Sequence, residues 1–583
     1  MTNTESKMRH NALRRPFPRR SFHLLAVALA ALLLVSGCVS STPLATRPAT
    51  TFDVRAFGAT GDGHTLDSAA INQAIEAAAA AGGGTVVFPA GTYASYSIHL
   101  KSHVTLYLDS GATLLAADPP PEGQPGGYDT PEPNEWAFYQ DFGHTHWYNS
   151  LIWGENLEDI AIFGPGRIFG RGLSRGNSRR ALLPGETAPE NRRTPTGVLG
   201  ADGLVRVADN RAIKPGPFGY PNARDTLPAG VGNKAIALKN CRNVIFRDFT
   251  VFHGGHFAIL ATGVDNWTCD NLKIDTNRDG IDIDCCQNVR IANCTVNSPF
   301  DDGICLKSSF CLGHVLPTEN VTITNCQVSG YDEGTLLDGT RQRKVLHDHG
   351  PVGRIKCGTE SNGGFRNITI SNCVFEYCRG LALESVDGAL MEDIAVSNLT
   401  MRDLVNAPIF IRLGARLRGP GPVAVGVARR IKLDNIIAHN VAAESGILIA
   451  GIPGHPIEDL ALSNIFIDYA GGGTKEQGGY AVPEYEQEYP EPSRFGTLPA
   501  WGLFARHVKN LSVDRLQFCA AQDDFRPTVV LDEVTDTSFD RVQFPHGAGT
   551  PTFTLKDVSG LSVHNSPGLP DTARPEYIVS DQL

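Results

Sequence analysis

The residues with the strongest claim to chemistry are three aspartates in two short motifs. Asp279 lies in Asn277-Arg278-Asp279-Gly280, and Asp301 and Asp302 lie in Phe300-Asp301-Asp302-Gly303. Asp301 follows Asp279 by 22 residues. If the chain repeats at about that period, the three carboxylates meet on adjacent turns of one face. Crowded carboxylates repel, which raises the pKa of at least one and keeps a proton available near neutral pH. Glycosidic cleavage uses such a set: one acid protonates the leaving oxygen while a carboxylate activates water or attacks carbon. The same residues also suit a calcium site, because acidic corners bind that cation through oxygen, or a solvated turn. Composition alone leaves all three open.

The elements that must position these residues repeat. Asn243–Phe252, Asn288–Val296, Asn320–Val328, Asn367–Phe375, Asp393–Met401, Arg430–Ala438, Asp459–Ile467 and Asn510–Phe518 share one pattern. Each reads polar, apolar, any, apolar, any, Asn or Asp, two of any, apolar, which makes two short alternating strands around a polar corner. One coil per repeat, with loops of variable length at one corner, predicts a parallel β-helix. Asn293, Asn325, Asn372, Asn398, Asn435 and Asn464 occupy the corner. Asn tolerates left-handed backbone angles, and coils stacked about 4.8 Å apart would let the amides form a ladder. Cys294, Cys326 and Cys373 follow directly, and are expected as small apolar side chains inside the coil rather than as disulfides.

Ahead of the coils, the Ala-rich stretch Asp67–Ala81, closed by Gly82-Gly83-Gly84, predicts a short helix capping the open N-terminal end of the solenoid. Two insertions interrupt the repeat, Arg171–Gly232 and the Tyr-, Glu- and Pro-rich Ala470–Trp501. Loops carried by a rigid scaffold commonly wall a binding groove. The first 38 residues read as an export signal. Arg14, Arg15, Arg19 and Arg20 precede an apolar run from Leu24 to Val35, too short for a comfortable membrane span. Val35-Ser36-Gly37-Cys38 resembles a lipobox with Cys38 as the lipidated residue, and Arg19-Arg20-Ser21-Phe22 resembles a twin-arginine signal. Residues 39–50 then form a tether and 51–583 a single β-helix domain. The expected location is a membrane face, periplasmic or exterior, reached through the lipid anchor alone.

A net charge of −11 argues against nucleic acid as a partner. Sixty-one Gly against 4 Met suit many turns and short strands. Phosphate-loop, dinucleotide and serine-elbow motifs are absent, so no cofactor is expected. His144-Thr145-His146-Trp147 and His253-Gly254-Gly255-His256 lack the further ligands of a standard metal site. Satisfied corner histidines or sugar contacts are the expected roles there, and Trp136, Trp147 and Trp153 are expected either to stack on sugar or to pack their own loop.

These motifs together resemble glycoside hydrolase family 28, the polygalacturonases and rhamnogalacturonan hydrolases, within the pectin-lyase-like β-helix superfamily. That family carries Asn-Thr-Asp, Gly-Asp-Asp, Gly-His-Gly and Arg-Ile-Lys in order. Here stand Asn277-Arg278-Asp279, Phe300-Asp301-Asp302 and Arg354-Ile355-Lys356, preceded by Phe52–Gly63 and Phe88–Tyr93, which are similar to bacterial members. The likeness spans roughly 52–520. It implies an all-β, right-handed parallel β-helix and inverting hydrolysis, without cofactor or metal, of an α-linked galacturonate-containing pectic glycan by a monomer. Asp301 would be the general acid, Asp279 and Asp302 would hold and activate the water, and Arg354 and Lys356 would bind a sugar carboxylate. Asn277, Arg278 and Glu360 would flank the substrate. The chain departs from the family in Arg278 and Phe300. Tyr331-Asp332-Glu333-Gly334 stands where Gly-His-Gly is expected, so Glu333, His347 and His349 are candidates for the missing histidine. The long insertions suggest exo action. The rival expectations are a calcium-dependent polysaccharide lyase and a non-catalytic glycan-binding lipoprotein.

Overall fold

The computed structural model describes residues 50–583 except 122, 345–349, 445 and 546–548, with 176–226 described only at three two-residue strands. The signal, Cys38, the tether, most of the first insertion, His347 and His349 therefore lie outside the described residues.

The described chain winds into a right-handed parallel β-helix. A representative coil runs through strands Asp279–Asp284, Gln287–Ala292 and Thr295–Asn297, and the next through Ile304–Ser308, Thr318–Thr324 and Gln327–Ser329. Each strand pairs in parallel with its counterpart one coil on, with Ile281 opposite Ile304, Val289 opposite Val321 and Val296 opposite Val328. Alternate side chains point inward, so these six apolar residues all join the continuous core. Burying each contributes about 1.5–3 kcal/mol. From Leu390 onward the second and third strands merge into single bent strands, Leu390–Leu404, Val427–Val441 and Ile457–Gly471.

The helix predicted over 67–81 is present as Ser68–Ala80 and buries Ile71, Ala74, Ile75 and Ala78, one apolar face at 3–4-residue spacing. The other end is closed by a device with no clear sequence signal. Phe553–His564 is met antiparallel by Thr572–Arg574 and Ile578–Gln582, which occupies an edge that would otherwise template further pairing. The twelve cysteines after Cys38 are free thiols, eleven of them buried.

All six corner asparagines have φ between 53° and 58°. Their amides form a broken ladder: Asn325 donates to Asn293 (3.3 Å), Asn398 to Asn372 (2.9 Å) and Asn435 to Asn398 (2.8 Å). Asn372 instead reaches Thr324, and Asn464 reaches Asp434. A second ladder runs through the residues that open the repeats, Asn367 donating to Asn320 and Asn320 to Asn288. Left-handed φ and the amide bond act together at these corners. Asn435→Ala should destabilise the protein by about 1–3 kcal/mol, and Asn435→Gly by less, since glycine removes the bond but tolerates the backbone angle. Denaturation midpoints for the two variants test this; equal losses would show that backbone angle contributes nothing.

Candidate active site

The strands Asp279–Asp284, Ile304–Ser308, Ile355–Ser361 and Leu381–Ser385 are consecutive rungs of one sheet. Ile281, Ile283, Ile304 and Leu306 point into the core, which sends Asp282, Cys305, Lys307 and Lys356 to the outer face. On neighbouring rungs Asp282 stands opposite Cys305, Cys305 opposite Lys356, and Asp284 opposite Lys307. The coils approach closely here: a Cβ on Gly280, next to Asp279, would lie 2.4 Å from the Gly303 carbonyl oxygen. Only glycine lets these two rungs meet.

This stacking brings the three aspartates together. One carboxylate oxygen from each of Asp279, Asp301 and Asp302 lies within 4.8 Å of the other two. Asp279 and Asp302 are buried, and the Asp301 side chain keeps 23% of its exposure and pairs with Arg278. Asp301 and Asp302 line a cleft of about 740 Å³ together with Phe300, Arg354, Lys356 and Arg379. Its other wall is Tyr485, Glu488, Tyr489, Glu491, Ser493 and Arg494, all from the second insertion.

That insertion is latched to the helix by buried arginines. Arg412 donates to the carbonyls of Glu484 (2.8 Å) and Tyr485 (3.0 Å), and Arg506 to those of Val482 (2.7 Å) and Pro483 (2.8 Å). Phe495 and Leu498 pack into a satellite core with Phe410, Leu448 and Phe504. On the opposite side, the segment around residue 141 closes over the same rungs. The Asp141 amide donates to Glu360 Oε1 (3.1 Å), and Arg418 donates to the Asp141 carboxylate (2.7 Å).

The electrostatics separate the carboxyls. Burial alone would raise Asp302, but Lys356, Arg354 and Lys307 overcome it and hold the carboxyl below its usual range. Arg354 Nε donates to Asp302 Oδ1 at 2.9 Å and Lys356 Nζ to Oδ2 at 3.0 Å. Asp279 goes the other way: burial, then the charges of Asp282 and Asp301, push it well above the usual range. Burial likewise takes Asp282 to about 7, against the pull of Lys307 and His144. A group held ionised thus stands beside groups held protonated, the pairing that acid–base chemistry needs.

The structure places the remaining expected residues as follows. Arg354 and Lys356 line the cleft, yet both are committed to protein carboxylates. Besides Asp302, Arg354 reaches Glu491 at 2.9 Å and Glu384 at 3.7 Å, and Lys356 lies 3.8 Å from Glu384. The expected contact with a sugar carboxylate is occupied by these partners. Glu333 is bound to His253 Nδ1 (2.6 Å) and to Arg175, so both of its carboxylate oxygens have protein partners. Glu360 is fully buried, with His144 Nδ1 at 3.0 Å and Lys307 at 3.4 Å, so it faces protein rather than substrate. Asn277 is buried, and its carbonyl accepts from the Phe300 amide at 3.0 Å, which joins the two aspartate motifs. Trp147 is fully buried with its indole N–H on Thr262. Trp136 packs on Phe310 and Trp153 on Tyr148, and Trp147 joins a small core with Ala237, Phe257, Leu260 and Cys311.

Asp282, Lys307, Glu384 and Glu491 were missed by sequence reasoning. A lysine in the apolar strand Ile304–Ser308 was the available signal for the first rungs. Glu491 arrives from a distant loop and carried none, whereas His144 was singled out and is found bound to Glu360.

A family model described as rhamnogalacturonase A/epimerase, pectate lyase-like, matches residues 51–121, and one for the right-handed β-helix region matches 228–349. The chain is similar to an exo-poly-α-D-galacturonosidase of Dickeya chrysanthemi, 26% identical over 267 residues, 43% of this chain. That match spans 40% of the relative's length. A probable polygalacturonase of Vitis vinifera is 23% identical over 485 residues, covering 79% of this chain and 83% of the relative. Among solved structures, a family 28 exopolygalacturonase of Yersinia enterocolitica shares the fold, with a TM-score of 0.51 at 18% identity over 89% of this chain and 79% of that one. The chain shares the right-handed β-helix fold of the pectin-lyase-like proteins. Within that class its likeness is to the polygalacturonase type of glycoside hydrolase family 28.

Glu384 gives a test of the buried charge set. Burial outweighs the attraction of Lys356 and Arg354 and raises it from 4.5 to about 7. Between those values the unfolded chain ionises while the folded group keeps its proton, so stability present below about pH 4.5 is lost as pH rises towards 7. The melting temperature of Glu384→Gln should therefore improve relative to the unsubstituted protein as pH rises from about 4.5 to 7.5. Parallel melting curves across that range would refute the burial argument.

Proposed function

We propose that the protein hydrolyses an α-linked, galacturonate-containing pectic glycan, acting from a chain end and exported to a membrane face through lipidated Cys38. The observation that carries the reading is the aspartate trio at the cleft, in which Asp302 is held ionised while Asp279 is held protonated. Asp302 activates water or attacks the anomeric carbon. Asp301, the most exposed of the three, delivers the proton to the leaving oxygen and is reloaded from Asp279 beside it. Arg278 must release Asp301 as substrate enters. Similarity to the Dickeya and Vitis proteins supports the pectic substrate. The latched insertion beside Asp302 supports exo action, because it walls the cleft one rung from the chemistry.

Stereochemistry is the discriminating observation. The family resemblance implies inversion, whereas inverting pairs usually stand about 6.5–9.5 Å apart and retaining pairs about 5–5.5 Å. One oxygen of each carboxylate lies within 4.8 Å of the others, so the first-formed anomer of the product decides between the two outcomes. A calcium-dependent lyase is the other reading the acidic cluster invites. Against it, both Asp302 oxygens already bind cationic side chains.

A panel of oligogalacturonides, read by mass spectrometry and by NMR of the first-formed anomer, tests the reading. Hydrated monomer or dimer released from one end is expected, with turnover falling about 100- to 10,000-fold in Asp301→Asn and Asp302→Asn. Unsaturated product, lost on chelation, would make the protein a lyase. No product from any pectic substrate would leave a glycan-binding role.

A further inference from the structure

The cleft poses an electrostatic problem for a uronic-acid substrate. Four cationic side chains line it: Arg354, Lys356, Arg379 and Arg494. The first three are buried and neutralised from within the protein. Arg354 and Lys356 hold Asp302, while Arg354 and Arg379 share Glu491 at 2.9 and 3.0 Å. An incoming carboxylate would share these cations with Asp302 and Glu491, which weakens its hold on them.

Arg494 is different. Its side chain is exposed to the cleft and has no hydrogen bond or ion pair within the described residues. Its backbone is nonetheless fixed. Arg494 lies in the single helical turn Pro492–Phe495, its amide donates to the Glu491 carbonyl at 2.9 Å, and the adjacent Phe495 is buried in the satellite core. Glu491 is itself clamped by Arg354, Arg379 and Asn406. A guanidinium without a protein partner, carried on a fixed turn, offers a carboxylate two parallel N–H donors.

We infer that Arg494 is a specificity residue of this cleft, binding the carboxylate of a hexuronate unit with a guanidinium that no protein carboxylate shares. The inference rests on the uronate-glycan reading of the site and names the group that recognises the acid. It is tested by isothermal titration of the full-length protein and of Arg494→Gln with trigalacturonate and with its methyl ester, alongside turnover of both. The unsubstituted protein should prefer the free acid. Arg494→Gln should bind it about 10- to 100-fold more weakly, lose that preference and most of its salt dependence, and keep its affinity for the ester. Arg494→Lys should recover part of the loss. A Gln variant that still prefers the free acid would overturn the assignment while leaving the hydrolase reading intact. Equal weakening towards acid and ester would also overturn it. If the unsubstituted protein neither binds nor cleaves either compound, the uronate reading and the assignment fall together.

Discussion

Parallel pairing between successive coils brings the aspartate trio and the cations beside it together. A step of about 4.8 Å places equivalent residues of neighbouring coils in contact, so the 22 residues between Asp279 and Asp301 become one rung. The left-handed corners enforce that register. Each Asn corner turns the chain at the same point and ties it to the coil before through its amide. A slip of one residue would reverse which side chains face the core, burying Asp282 and Lys307 among the isoleucines. The catalytic geometry and the hydrophobic core are therefore a single constraint seen from opposite faces of the same strands.

The outer face of these rungs is a lattice of opposed charges. Asp302 is surrounded by Lys356, Arg354 and Lys307; Glu360 by His144, Lys307 and Arg418; Glu491 by Arg354, Arg379 and Asn406. Buried ion pairs of this kind add little net stability, because desolvation offsets much of the attraction. Their effect is to fix direction. Asp302 has no freedom to rotate away from the cleft, and the insertion bearing Glu491 has no freedom to lift off. Two exceptions are informative. The carboxyls of Asp282 and Glu384 have no hydrogen-bond partner among the described residues, and burial raises both to about 7. They hold protons against the cation-rich rungs beside them.

The coil repeat, the capping helix and the aspartate trio were legible because each is a periodic or local signal. Asp279 and Asp301 differ by one coil, and Ile71, Ala74, Ile75 and Ala78 mark one helical face. Partnership was illegible. Arg354 and Lys356 were correctly drawn to the cleft, but nothing local reveals that Asp302 and Glu491, 52 and 137 residues away, would occupy them. Glu333 looked like a substitute for a histidine because it stood at the matching point of its coil, whereas His253, 80 residues earlier, claims it. The antiparallel closure at Thr572–Arg574 and Ile578–Gln582 interrupts the repeat and so escaped a reading built on repetition.

This difference between position and partnership bears on how such clefts recognise anions. A β-helix rung offers outward positions at fixed spacing, and the chemistry of the trio demands that Asp302 remain ionised in a buried place. Cations must then stand within about 3 Å of it, and on this scaffold the adjacent rung supplies them. Once used in that way, Arg354 and Lys356 are no longer available to a ligand at equal strength, because each substrate contact would weaken the catalytic carboxylate. Recognition must therefore be delegated to groups outside the rungs. Insertions can carry such groups because their length is free of the repeat, provided they are held as rigidly as the coils. Arg412 and Arg506 supply that rigidity by binding the insertion's carbonyls, which separates the cations that build the cleft from the one that remains to read its contents.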